Sequence, residues 1–461
     1  MDKLTLLASR KEELFLASKD IRKKIDELID EDSFVELDRF SFSKNEFYQA
    51  DCQGEGVVTG FATINEIPVY IVAQNSNVLN GGLSYANANK IVKCLDKALV
   101  SGAPVIYLLS SLGVLAGEGV KVLEGAGLVL AKIQELKNEV PQFSVVLGDV
   151  LGSSALFAAS TDYTYMLKDS CLSYASPLVI SAKSGKSADK LSVGGAKSNA
   201  QNGLTTFEVK DIKEVRNSIA NILDVLPEFG GILLETGDDL NRNAPNLNEK
   251  ACAKCIIDAV FDKDYAIELG KGFAPEVVTV IGRIGGYSCA TIIFNGENGV
   301  ELNNNNIEKI KEFIYYASDN NLPLITFVNT LGIEQNLETS NSLILKNISN
   351  LVYAISASSE LPKINVIYGK AIGLGYTLFA SRAMGVDYSY AFANAKISVF
   401  DSETGAQIEF GANGGDLEKI KANYEDNEQD AFNAAQNGFV DNVIEPEFVR
   451  QYLISALQML V

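Results

Sequence analysis

Residues 141–160 read PQFSVVLGDVLGSSALFAAS, and residues 362–381 read PKINVIYGKAIGLGYTLFAS, 221 positions later. Each stretch opens on proline and continues as a strand-length run rich in Val, Ile or Tyr. A cluster of small residues follows, and then an amphipathic tail, Leu-Phe-Ala-Ala-Ser in the first and Leu-Phe-Ala-Ser in the second. This is the pattern of a strand, a tight turn and the start of a helix.

Further pairs occur in the same order on both sides of this one. IDELIDEDSFVEL (Ile25–Leu37) faces IDAVFDKDYAIEL (Ile257–Leu269), and VVTGFATI from Val57 faces VVTVIGRI from Val277, after an extra polar loop in the first half. APVIYLLSS from Ala103 answers LPLITFVNT from Leu322, DYTY at Asp162 answers DYSY at Asp387, and AQNG occurs at Ala200 and again at Ala435. A collinear series of this kind marks a tandem duplication. The expected domains are 1–240 and 241–461, with the polar stretch Gly237–Lys250 as connector.

Within each half, short apolar runs alternate with longer amphipathic ones. PVYIVAQ, PVIYLLSS and FSVVLGD are strand-like, whereas ANANKIVKCLDKALVSG and EGVKVLEGAGLVLAKIQELKNEV carry apolar residues at helical spacing. Strands alternating with helices predict an α/β layer structure with parallel strands and crossover helices.

Composition narrows the chemistry. The chain has 461 residues, 47% of them hydrophobic, which suits two packed cores. A formal charge of −20 argues against general affinity for nucleic acid or an anionic membrane. The charges that follow Met1 break any signal-peptide core, and no apolar run reaches the length of a membrane span, so a cytoplasmic protein without membrane insertion is expected. Six cysteines are too few for a disulfide scaffold. Cys252 and Cys255 lack a second Cys pair and are expected as thiols on or under a helix, not as a zinc site, and no metal is expected. The chain contains no histidine, which excludes Ser-His-Asp and Cys-His nucleophilic sites. What remains is backbone amides, carboxylates, lysine, tyrosine, hydroxyls or a cofactor.

The strand-to-helix turns at Gly152 and Gly373 are the candidate sites. First-turn amides have no intrahelical acceptor, and glycine admits a ligand close to the backbone. Amides so placed stabilise a carbonyl oxygen that gains negative charge. The competing reading is that these glycines only relieve packing between strand and helix.

From about Ile25 to Val461 the chain resembles the carboxyltransferase subunits of biotin-dependent acyl-CoA carboxylases and the related methylmalonyl-CoA decarboxylases. The resemblance rests on GEGVVTGFATINEIPVYIVAQ, GGLSYANANKI, Glu118-Gly119, VGGAKSNAQNGL, FDKDYAIELGKGFAPEVVTVIGRIGG, LPLITFVNT, GKAIGLGYT and AAQNGFVDNVIEP. It implies two tandem crotonase-like (ClpP/crotonase) domains. The first would hold a coenzyme A thioester and stabilise its enolate with the amides at Gly152 and Ser153. The second would hold the ureido oxygen of biotin with those at Leu374 and Gly375. Gly113, Gly373, Tyr376 and Thr377 fall at substrate-binding positions, with Thr377 lining the acyl pocket. The resemblance also implies that biotin takes the α-proton and that the enolate captures CO2, so no side chain is needed as acid or base. It implies a homo-oligomer, dimer or hexamer, with half-sites meeting between subunits. No biotin-attachment or ATP-grasp motif is visible, so biotin would arrive on a biotin carboxyl carrier protein charged by a biotin carboxylase.

The chain departs from the family at several of these positions. The family's Asp-Ser-Gly-Gly-Ala-Arg stretch reads Ser110-Ser111-Leu112-Gly113-Val114-Leu115, its Gly-Gly pair reads Gly152-Ser153, and its Gly-Gly-Ala reads Gly373-Leu374-Gly375. Its Asp-Thr-Pro-Gly reads Asn329-Thr330-Leu331-Gly332, and two usual histidines are Asn87 and Asn199. Two other readings therefore stand beside a carboxylase subunit: a weakened homologue that supports assembly, and a subunit of a biotin-dependent decarboxylase.

Overall fold

The structure is a computed structural model that describes residues 2–248, 251–425 and 430–461. The chain forms two compact units, Met1–Asn221 and Ile222–Val461.

In the first unit, β1 (Val35–Leu37), β2 (Val57–Ile64), β3 (Ile67–Gln74), β4 (Val105–Ser111), β5 (Gln142–Leu151), β6 (Tyr163–Leu167) and β8 (Phe207–Val209) form one sheet in that order, with β7 (Cys171–Ser173) on β5. The β1–β2 and β2–β3 pairs are antiparallel, and all later pairs are parallel. The second unit repeats this with β9 (Ala266–Leu269), β10 (Val277–Ile284), β11 (Tyr287–Phe294), β13 (Leu324–Ile333), β14 (Lys363–Ile372), β15 (Tyr388–Phe392) and β17 (Asn442–Ile444). Here β12 (Val300–Leu302) lies on β13 and β16 (Lys396–Ser398) on β14. The same path in both units is the structural counterpart of the repeated sequence.

The packing divides the chain earlier than the polar connector does. The buried guanidinium of Arg283 on β10 donates to the carbonyls of Asp224, Gly230, Gly231 and Gly286 at 2.7–3.1 Å, which ties residues 224–231 into the second unit. The last two connector residues, Glu249 and Lys250, lie outside the described residues.

The helices form where the amphipathic spacing predicts, at Tyr85–Ser101 and Val120–Leu136, and their apolar faces close one core with Val105, Tyr107 and Val146 of the sheet. Fully burying each Val, Leu or Ile side chain contributes about 1.5–3 kcal/mol. Asn87 starts the first of these helices: its side chain accepts the Ser84 N–H at 2.9 Å, while Ser84 Oγ accepts the Asn87 N–H at 3.0 Å. Asn303 and Asn306 repeat this capping box in the second unit. Asn199 is also structural, with its amide group donating to the carbonyls of Leu172 and Gly194.

Two buried lysines recur in the same way. Lys90 Nζ donates to the carbonyls of Gly54 and Val57, and Lys309 Nζ to those of Gly270 and Phe273. Burial pushes both ammonium groups down from the ordinary 10.5 to about 8. Between those values the unfolded chain binds more protons than the folded one, so the contribution of each lysine to stability rises with pH across that window. In Lys90→Met the urea-derived unfolding free energy is therefore expected to rise less, or fall more, from pH 8 to 10 than in the wild type. Equal slopes would show that the Lys90 amine does not titrate there.

The feature that positions the site is a fork. Strand β5 pairs with β6 through Phe143–Val146 and then with β7 through Asp149–Leu151, and a register shift against β4 falls between Leu109 and Ser111. Strand β14 forks identically between β15 and β16, with its shift between Val328 and Thr330. A Cβ at Gly369, in the bend, would lie 2.3 Å from Asn329 Oδ1, so any side chain there would push Asn329 from its bracing contacts. Past each fork, the ends of two neighbouring strands turn toward each other.

Candidate active site

In the first unit the two turning ends are Leu112-Gly113 after β4 and Gly152-Ser153 after β5. Gly113 has φ +112° and Gly152 φ +62°, conformations that side chains disfavour. A Cβ at Gly152 would sit 3.6 Å from Gly113 Cα, so the two backbones are neighbours. Ser111 Oγ fixes the first turn by accepting the Gly113 N–H at 3.2 Å. Gly152 precedes the helix Ser153–Ala159, and its own N–H donates to the carbonyls of Tyr174 and Ser173 at 3.1 and 3.3 Å. That amide therefore shapes the turn. The first-turn amides of Ser153 and Ser154 lie ahead of any intrahelical acceptor. Ser153 is half-buried, and Ser154 is fully buried.

Gln74 locks the two turns together. Its Oε1 accepts the Ser110 N–H at 3.1 Å, and its Nε2 donates to Ser154 Oγ at 3.1 Å. Leu115, where the family has arginine, is buried, and a Cβ at Gly82 would lie 2.4 Å from Leu115 Cδ2. Exposed Leu112, Leu156 and Tyr174 surround the turn.

The second unit builds the same arrangement from Gly332 (φ +88°) and Gly373 (φ +54°). Thr330 Oγ1 takes the place of Ser111, accepting the Gly332 N–H at 3.0 Å and donating to Val300 O at 2.6 Å. Asn329 braces the turn, accepting the Lys370 N–H at 2.9 Å and donating to Gly296 O at 2.6 Å. Gly373 N–H donates to Ser398 O at 2.9 Å, and Leu374 and Gly375 open the helix Leu374–Phe379.

An open cleft of about 810 Å³ lies beside this turn, within the size range of ligand sites. Gly332, Gly373 and Leu374 line it, with Leu331, Ile333, Leu345, Val399 and Phe400 as apolar walls. Leu374 is 43% exposed. Gly375, Tyr376 and Thr377 are not among the lining residues. Tyr376 instead donates its hydroxyl to Phe439 O at 3.0 Å, which ties this helix to the second AQNG turn, and exposed Thr377 bonds back to Gly373 O. Asp401 is a carboxylate on the cleft wall. Burial works to raise it, but hydrogen bonds from Thr404 and from the Glu403 amide outweigh burial and hold it below the usual range. It caps the following helix and stays ionised.

Sequence reasoning named Gly113, Gly152, Ser153, Gly373, Leu374, Gly375, Tyr376 and Thr377 as site residues, noted Asn329 and Gly332 only as part of a departure from the family, and gave Gln74 no role. For Gly332 the signal was available, since it lies 219 positions after Gly113, the spacing that already pairs APVIYLLSS with LPLITFVNT. The locking role of Gln74 and the bracing role of Asn329 gave none, because both depend on contacts across the sheet.

Two glycine-bracketed helix starts, one per unit of a duplicated crotonase-like α/β fold, present first-turn backbone amides at the ends of neighbouring strands. Residues 17–461 match the family model described as the carboxyl transferase domain. Relatives include a propionyl-CoA carboxylase carboxyltransferase subunit from Haloferax mediterranei, 29% identical over 95% of this chain and 90% of that protein. The methylmalonyl-CoA decarboxylase subunit alpha of Veillonella parvula is 31% identical over 95% of this chain and 89% of that protein. Among solved structures, transcarboxylase 12S with methylmalonyl-coenzyme A and methylmalonic acid bound superposes with a TM-score of 0.92 at 25% identity, covering 99% of this chain and 95% of that one. The chain belongs to the carboxyl transferase family, enzymes that move a carboxyl group between biotin and an acyl-CoA.

Proposed function

We propose that the first unit binds the acyl-CoA and the second the biotin of a separate carrier protein, in a dimer or hexamer of this chain in the cytoplasm. The observation that carries this reading is the recurrence of one glycine-bracketed strand-to-helix turn in both units of a chain without histidine. The short acyl groups of the relatives, propionyl and methylmalonyl, name the substrate class to test first.

On the acyl-CoA side, the Ser153 amide holds the thioester oxygen as the α-carbon loses a proton and the enolate charge collects there. Gly113 and Gly152 keep the approach clear of side chains, and Gln74 holds the two turns in register. On the other side, the cleft at Gly332 and Gly373 has room for a bicyclic ureido ring, and the Leu374 and Gly375 amides would hold its oxygen. Biotin supplies a labile carboxyl group and a ureido nitrogen able to accept a proton. Protein side chains then need only bind, orient and exclude water.

Leu374 stands where the family has glycine, and its half-exposed side chain borders the cleft. Leu374→Gly is expected to lower KM for biotin by up to about tenfold, roughly 1.4 kcal/mol. The deciding measurement is carboxyl exchange between biotinylated carrier and a panel of acyl-CoAs, on protein shown by light scattering to be a dimer or hexamer. Absence of exchange in that assembled state, for wild type and Leu374→Gly alike, would favour the assembly-subunit reading.

A further inference from the structure

The six cysteines divide into two kinds. Cys52, Cys94, Cys171 and Cys289 are free and buried. Burial pushes the Cys94 and Cys289 thiols up to about 12 and raises those of Cys52 and Cys171. Thiols of that kind carry almost no thiolate at neutral pH and are inert. Cys252 and Cys255 differ on every count: they are half-buried, and they are joined as a disulfide with Cα atoms 5.0 Å apart. This corrects the expectation of two thiols. The reason is geometric, since Cys252 is the N-cap of the helix Ala253–Val260 and Cys255 is its third residue, so both sulfurs reach the same side of the first turn.

The helix start is well defined. Cys252 Sγ accepts the Cys255 N–H at 3.2 Å, and the Ala253 N–H donates to Asn295 Oδ1 at 3.3 Å. In the reduced form, a Cys252 thiolate receives that N–H together with the positive end of the helix dipole, and exposed Lys254 lies between the two cysteines. Both influences favour thiolate. The bridge spans a separation of three residues, and so short a loop restrains little of the unfolded chain, so the bond has no large scaffolding role.

We propose that Cys252 and Cys255 form a redox-active dithiol–disulfide pair that exchanges with low-molecular-weight thiols and disulfides. In oxidation, the Cys252 thiolate attacks one sulfur of glutathione disulfide and expels a glutathione thiolate, which takes up a proton. Cys255 then loses its proton to solvent and attacks Cys252 Sγ in the mixed disulfide, expelling the second glutathione. Two protein thiols are oxidised as one small disulfide becomes two thiols, and excess reduced glutathione reverses both steps.

The test uses the intact chain, equilibrated with oxidised or reduced glutathione, then denatured and alkylated with iodoacetamide for mass measurement. Four alkylated cysteines are expected after oxidation and six after reduction. Cys255→Ser, in which the resolving sulfur is absent, is expected to retain one glutathione on Cys252, whereas the wild type retains none. Six alkylated cysteines after oxidation, four after reduction, or equal glutathione loads in wild type and variant would overturn the proposal. Zinc held by these sulfurs in the reduced protein, read by native mass measurement, would also overturn it.

Discussion

Ser153→Pro is expected to lower kcat for carboxyl exchange on acyl-CoA by about 100- to 1000-fold, the loss typical of one oxyanion donor, while leaving the fold intact. Ser153 is the first residue of its helix, the position where proline fits because the N–H it removes has no intrahelical partner. Gly152→Pro is a poorer probe, because the Gly152 N–H holds Tyr174 O and its φ of +62° is closed to proline. Ser153→Ala separates amide from hydroxyl: it keeps the N–H, so its activity should stay within about twofold of wild type on that same argument. Circular dichroism and thermal unfolding establish folding, and steady-state exchange gives the result. A folded Ser153→Pro enzyme with wild-type kcat would remove the Ser153 amide from the mechanism. Low activity in Ser153→Ala would transfer the role to the hydroxyl.

Gly375→Ala restores the residue the family carries, yet here it is expected to damage the second unit. A Cβ at 375 would lie 2.4 Å from Thr330 Cγ2, below any ordinary contact, so the helix Leu374–Phe379 must move. Overpacking of this kind costs about 1–3 kcal/mol, and a displacement near 1 Å at a reacting group costs on the order of 100-fold in rate. The biotin half-reaction should therefore fall far more than acyl-CoA binding. Thr330→Ser removes the offending methyl and keeps the hydroxyl that serves Gly332 and Val300. The double variant Gly375→Ala, Thr330→Ser is expected to recover most of both stability and rate. Failure to recover would show that the 330–375 contact does not set the position of this helix.

The Cys and Leu374 results show where local reading stops. CAKC was legible as a motif, but not the fact that its first cysteine caps a helix and so faces the second. Leu374 was legible as a departure from the family, but its exposure on a cleft wall depends on Val399 and Phe400, which lie 25 and 26 positions further along the chain. Asn87 and Asn199 read as lost histidines, and their side-chain hydrogen bonds to backbone groups show them filling structural roles.

The amino-acid sequence by itself determined the duplication, the α/β class, the strand–turn–helix at each Gly-rich stretch, and, through the absence of histidine, a chemistry without imidazole. Those properties are written in local pattern: apolar period, Gly at turns, residue types present or missing. Which amides are available was decided only by the tertiary structure. Gly152 and Ser153 are adjacent in sequence, but the Tyr174 and Ser173 carbonyls take the Gly152 N–H because β5 forks from β6 to β7. Gly332 meets Gly373 because β13 and β14 lie side by side past the same fork. Pairings between strands tens of residues apart follow from packing the whole sheet against its helices, and local propensity carries no record of them.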